Sequence, residues 1–223
     1  MTKTMLLAAA AVLAGGAAYA ASSPSVAGHG SAAAHYVAPK GSGTIVNQTT
    51  GGTGNGIVSQ NFETSLQAYD AADADAFTIT KSAKATGIVA NGLYFNGPGP
   101  ATSENVTFYK DKKGAPGSAI QNCTYTNVNG TDASGVFTIT FKKACKLKKG
   151  VYWVSVVANL NFAGGAGGEW GWQDATETGP HQADWENPGG GFATACTTWM
   201  PELTCIPNGQ TNGKSYVLNG TGK

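Results

Sequence analysis

The stretch Val151-Tyr-Trp-Val-Ser-Val-Val157 is apolar on both of its faces apart from Ser155. A run of that length, rich in β-branched and aromatic residues, reads as a strand covered above and below, at the centre of a two-layer packing. Trp153 is therefore expected in the core. Phe137-Thr-Ile-Thr-Phe141 carries the complementary signature: Phe137, Ile139 and Phe141 face one way, while Thr138 and Thr140 face the other. Such alternation belongs to a strand with one buried and one wet face.

Strand-like runs recur on either side of these two, with turn signals between them. They are Thr44 to Asn47, Ile57 to Phe62, Phe77 to Thr80, Ile88 to Phe95 with a break at Asn91-Gly92, and Val106 to Tyr109. Ala119 to Thr126 and Val136 to Phe141 are expected to form a hairpin around Asn129-Gly130. Beyond the central run come Glu169 to Gln173, Phe192 to Trp199 and Ser215 to Leu218. About ten short strands with no credible helix predict an all-β, antiparallel β-sandwich, jelly-roll-like in its simplest form. The 32 Gly and the low 12% of charged residues agree, since they describe tight turns rather than helices.

Domain organisation follows from the first residues. Lys3, the apolar run Met5 to Leu13 and Ala18-Tyr-Ala20 together read as a secretory signal peptide over 1–20. Residues 21–42 are Ala-, Gly- and Ser-rich, with His29 and His35 isolated among them, and read as a flexible leader. The remainder, 43–223, is expected to be one sandwich domain. No later apolar run approaches the length needed to span a bilayer, so the chain is expected to be secreted, extracellular or periplasmic.

Four cysteines in an exported chain read as two disulfides, and Cys123–Cys145 with Cys196–Cys205 is the favoured pairing of the three possible. A zinc site competes poorly, because there is no C-x-x-C spacing and His is scarce. Every basic residue is Lys, Arg is absent and the net charge is +1, so nucleic acid is not an expected partner. Lys142, Lys143, Lys146, Lys148 and Lys149 form a cationic run, which reads as a guard of hydrophobic strands or as a patch for acidic polymers.

A resemblance runs over roughly residues 75 to 199. Ala74-Asp-Ala-Phe77, Leu93-Tyr-Phe95, Asn105-Val-Thr-Phe-Tyr109, Gly150-Val-Tyr-Trp-Val-Ser-Val156, Trp170-Gly-Trp172, Asn187-Pro-Gly-Gly-Gly-Phe192 and Cys196-Thr-Thr-Trp199 carry it. In these motifs the chain resembles a family of uncharacterised secreted bacterial β-sandwich modules that accompany extracellular enzymes and surface proteins. The resemblance implies fold and export. It brings no catalytic residue.

The chemistry is expected between Glu169 and Phe192, where three tryptophans and five carboxylates share a Gly-rich tract without Lys. Trp170 and Trp172 are two apart and share a strand face, and Trp185 can join them across the next loop. With Asp174 and Glu186 they form a candidate ligand-binding set, in which indoles stack on sugar rings and carboxylates accept from hydroxyls. The alternative is that the same indoles cover the open end of the core, and exposure decides between the two. Asp70, Asp73 and Asp75 are candidate calcium ligands, although the spacing is not that of an EF-hand. His181 is the single His outside the leader and no Gly-x-Ser-x-Gly elbow exists, which argues against serine hydrolase chemistry. The reading is a secreted, non-catalytic binding or accessory module, with polysaccharide or cell-surface glycan as partner. A structural or adhesive surface domain without a small ligand is the alternative, and a glycoside hydrolase built on a carboxylate pair is the third.

Overall fold

The computed structural model describes residues 23–29, 43–50, 54–163, 167–176, 179–207 and 213–222. The segment read as a signal peptide and most of the leader lie outside them. In chain order the strands are β1 (Ala27–His29), β2 (Thr44–Gln48), β3 (Asn55–Val58), β4 (Gln60–Asn61), β5 (Ala72–Ile79), β6 (Ala83–Ala90), β7 (Gly92–Phe95), β8 (Ser103–Asp111) and β9 (Pro116–Val128). They continue with β10 (Thr131–Ala133), β11 (Val136–Leu147), β12 (Gly150–Asn159), β13 (Glu169–Ala175), β14 (Asp184–Glu186), β15 (Met200–Pro201), β16 (Gly213–Lys214) and β17 (Tyr216–Thr221). Two short helices interrupt them: a 3-10 helix at Thr64–Tyr69 and one α-helical turn, α1, at Glu202–Cys205.

Eight of these strands make the sandwich. One layer runs β2-β17-β6-β11 and the other β5-β12-β8-β9, every neighbouring pair antiparallel. Lettered A to H along the chain, the layers read A-H-C-F and B-G-D-E, which is the strand order of a jelly roll. The all-β sandwich expected from the sequence is therefore the observed fold, and its jelly-roll form follows from the pairings.

β12 holds the position its composition demands, hydrogen-bonded to β5 on one side and β8 on the other. Val154 and Val156 enter the main core with Phe77, Phe108, Phe137, Ile139 and Leu218, while Trp153 packs on the opposite face with Ala74 and Ala76. Phe137, Ile139 and Phe141 are buried and Thr138 and Thr140 exposed, as the alternation predicts.

A third sheet leans on this sandwich. β13 is its axis, paired with β3 and β7 along its length and with β16 at its end, and β1 adds to β3. β3 and β13 approach so closely that a Cβ on Gly171 would meet the Gly56 backbone at 2.7 Å, so glycine is required there. Ala27–His29, within the stretch read as leader, is strand β1. Its neighbour Ser25 donates from its backbone to a Glu169 carboxylate oxygen at 2.8 Å, and that bond with the β3 pairing orders the segment.

The expected hairpin of Ala119–Thr126 with Val136–Phe141 does not form. β9 pairs with β8 in one layer and β11 with β6 in the other, so Asn129-Gly130 is where the chain crosses the sandwich. The hairpin is instead β10–β11, closed by Ser134 (φ 54°) and Gly135 (φ 95°), a two-residue turn with positive φ at both centres. Phe192–Trp199, expected as a strand, is a loop. The two helices, unforeseen, are each too short to show a helical period.

Both expected disulfides are present, Cys123–Cys145 and Cys196–Cys205. Because β9 and β11 belong to different layers, Cys123–Cys145 staples the sandwich through its core. Its separation of 22 residues gives a chain-entropy contribution of about 3 kcal/mol. Cys123→Ser/Cys145→Ser is expected to lose that amount in urea unfolding. A loss under about 1 kcal/mol would mean that packing alone fixes the two layers.

Candidate functional site

Trp170, Trp172 and Trp185 are each 0% exposed. The Trp170 indole N–H donates to the carbonyl of Gly135 at 2.8 Å, and its ring stacks on Phe137 with centroids 4.6 Å apart. Trp172 donates to Ser215 O at 3.0 Å and meets Tyr216 edge-on. Trp185 donates to Val58 O at 2.9 Å in a second apolar cluster with Phe62, Cys196 and Cys205. Each indole thus has its polar atom satisfied by backbone and its ring in a core, so none offers a face to a sugar. The shared-face expectation holds for Trp170 and Trp172, but the face they share is the inner one.

Asp174, grouped with those rings in the sequence, turns into a buried ionic cluster. Lys214, 0% exposed, places Nζ 2.7 Å from Asp174 Oδ1, 2.8 Å from Asp73 Oδ2 and in close contact with Glu202 Oε2. The local structure explains the convergence. Asp73 and Asp75 are two apart on β5 and face the same way, Asp174 lies directly opposite Lys214 across β13–β16, and α1 starts at Glu202. The Lys214 backbone N–H donates to Asp75 Oδ2, to which Gln48 Nε2 also donates at 2.7 Å, with a second bond to Lys214 O at 3.0 Å. Asp184, also buried, leaves Oδ2 without a partner.

The calcium expectation is corrected here. Asp73 and Asp75 face the Lys214 ammonium and backbone, which stand where a cation would, whereas Asp70 Oδ1 accepts from Phe62 N at 2.7 Å in a separate loop. Among the described residues no group of three or more His, Cys, Asp or Glu is placed to hold a metal ion. Lys214, Glu202 and Gln48 were not visible as a group in the sequence. The available signal was Asp73 and Asp75 on one face of a strand whose other residues are Ala, Phe, Thr and Ile, which requires a buried partner.

The structure does bring Asp70 and Glu186 together, around a cleft of 630 Å³ that Asn61, Gln67, Pro188 and Gly189 also line. One side of it is Pro188-Gly189, the part of the motif Asn187-Pro-Gly-Gly-Gly-Phe192 that reaches the cleft. Asn187 Nδ2 donates to Ala68 O and Asp70 O, both at 2.8 Å, and Gly191 N donates to Ala68 O at 2.8 Å. A Cβ on Gly189 would lie 2.6 Å from Ala68 Cα, so this loop reaches the 3-10 helix only as glycine. Burial raises the Asp70 pKa, with the Phe62 bond opposing it, and pushes Glu186 up to about 7 against the bond from Trp199 N.

Burial acts on five further acids in the same direction. Desolvation lifts Asp75 to about 8 despite its bonds to Lys214 and Gln48, and lifts Asp184 and Glu169 to about 7. It also raises Asp73 and Glu202, both opposed by the Lys214 charge. For Lys214 burial works the other way, yet Asp174, Asp73 and Glu202 override it and hold the ammonium charged well above its ordinary range.

Two outcomes follow from this burial. Trp170→Ala, Trp172→Ala and Trp185→Ala are each expected to cost about 3 to 5 kcal/mol and to lower Tm sharply, as core truncations do. A variant that melts like the parent would place its ring outside the core. The raised carboxyls keep their protons to higher pH in the folded chain than in the unfolded one. Their contribution is therefore complete below about pH 4 and is lost as pH rises through about 7 to 8. Tm at pH 5 is expected above Tm at pH 8, and Asp184→Asn should narrow that gap; an equal or reversed gap would show these acids ionised in the fold. No family model matches the sequence, and no curated protein or solved structure matches it either.

Proposed function

We propose that the chain is an exported, non-catalytic binding module, and that its ligand site is the cleft between the 3-10 helix and the Asn187–Phe192 loop. The observation that carries this reading is the lining of that cleft. Two carboxyl groups, Asp70 and Glu186, stand with the amides of Asn61 and Gln67 around an open concavity, and no basic side chain is among them. Phosphate or sulfate finds no cation there. Hydroxyl groups find acceptors and donors together, which is the chemistry of a neutral glycan.

A glycan array and polysaccharide pull-down with the purified protein test this reading. Glu186→Gln keeps the shape of the side chain while changing its charge and one acceptor. It is expected to weaken binding by about 1 to 2 kcal/mol, on the order of tenfold in Kd, with Tm unchanged at pH 5, where the parent carboxyl is protonated. Binding that ignores this substitution would move the ligand elsewhere. Absence of any glycan ligand would favour the second reading, a structural or adhesive domain, which the stapled layers and buried ionic cluster also support.

A further inference from the structure

The most unusual chemistry in the molecule is at Lys214, where a primary amine is enclosed with carboxyl groups away from water. We propose that Lys214 Nζ and the side-chain carboxyl carbon of Asp73 become joined in an intramolecular amide, formed by the folded chain itself, with Glu202 moving the protons.

Three observations select this trio. Asp73 Oδ2 lies 2.8 Å from Nζ but outside hydrogen-bonding geometry, so the amine is against the carboxyl group without being aligned on its lone pair. Asp174, the other close carboxylate, accepts a directional hydrogen bond from Nζ at 2.7 Å and so orients the amine. Glu202 touches Nζ through Oε2, so it and Asp73 meet at the same nitrogen and one carboxyl group stands beside both reactants. Neither oxygen of Asp73 and neither of Glu202 has another donor, so a proton held between the two acids satisfies both.

The step balances without any co-reactant. Proton transfer from the ammonium through Glu202 to Asp73 gives a neutral amine and a neutral acid, the reactive forms of both. The nitrogen lone pair adds to the Asp73 carboxyl carbon, the N–C bond forms, and one C–O bond breaks. Of the three ammonium protons one stays on the amide nitrogen and two leave with the departing Asp73 oxygen as water, while Glu202 returns to its starting form. One positive and one negative charge are consumed together and nothing is oxidised or reduced.

Burial drives the reaction in that direction. Holding two charges out of water is costly, and an amide removes both. The fold replaces a bimolecular encounter by fixed contact, worth a very large effective concentration, and expels the water that would reverse it. Asp174 Oδ1, 2.7 Å from Nζ, stays in place as an acceptor for the N–H of the amide. The cross-link would form whether or not the cleft takes a ligand.

Mass spectrometry of the reduced, denatured protein decides the matter. The chain is expected to weigh one water less than its sequence, and proteolysis should yield a branched fragment joining the Lys214 and Asp73 peptides. A full-mass chain with the two peptides recovered separately would overturn the proposal, and a branch to Asp174 would overturn the choice of Asp73. Glu202→Gln is expected to leave the amide unformed and to restore the missing water. If that variant cross-links as completely as the parent, Glu202 has no part in the step. The mass of the unsubstituted protein stays decisive even where a variant fails to fold.

Discussion

A single ammonium group without solvent contact sets the terms for one end of this fold. Taking an isolated Lys side chain out of water costs several kcal/mol at least, and the charge is tolerated only where carboxylates meet it at contact distance. Asp73 arrives from β5, Asp174 from β13 and Glu202 from α1, so three otherwise separate parts of the chain must reach their places together. The third sheet is tied to the jelly roll through this charge as much as through apolar contact. Once β13 is held there, Trp170 and Trp172 have no course but inward.

The same arrangement shapes the surface. Glu202 opens α1 and Cys205 ends it, so the Cys196–Cys205 bridge fixes the turn that carries the acid. The bridge also braces the loop after Asn187, whose side chain then grips the 3-10 helix and holds the cleft open. A buried ion cluster and an exposed concavity are thus two sides of one short stretch of chain.

Much of the fold was legible in the sequence because the sandwich depends on period and composition. The doubly apolar Val151–Val157, the alternation Phe137–Phe141 and the pairing of four cysteines each state a local requirement that the tertiary structure honours. The site was less legible, for a physical reason. Trp170-Gly-Trp172 in a glycine-rich acidic tract reads equally as a platform or as a lid, and only the cover supplied by Phe137 and Tyr216 from distant strands decides it. Lys214 sits between Gly213 and Ser215 in a polar tail and carries no local sign of burial. Asn129-Gly130 is ambiguous for the same reason, since it permits a turn without choosing which sheet receives the next strand.

The pairing of β2 with β17 has a mechanical meaning. Asn219 stands opposite Thr44, and Gly220 N donates to Gly43 O at 2.7 Å, so the chain enters and leaves the sandwich side by side at one corner. Tension applied through those two points does not shear the strands along their length. It opens them like a zipper, loading one rung at a time from Thr44 towards Gln48. The zipper then runs into Gln48, whose amide is bonded to Asp75 and to the carbonyl of Lys214, so the front of peeling meets the buried ions after a few rungs and must break them as a group to go further.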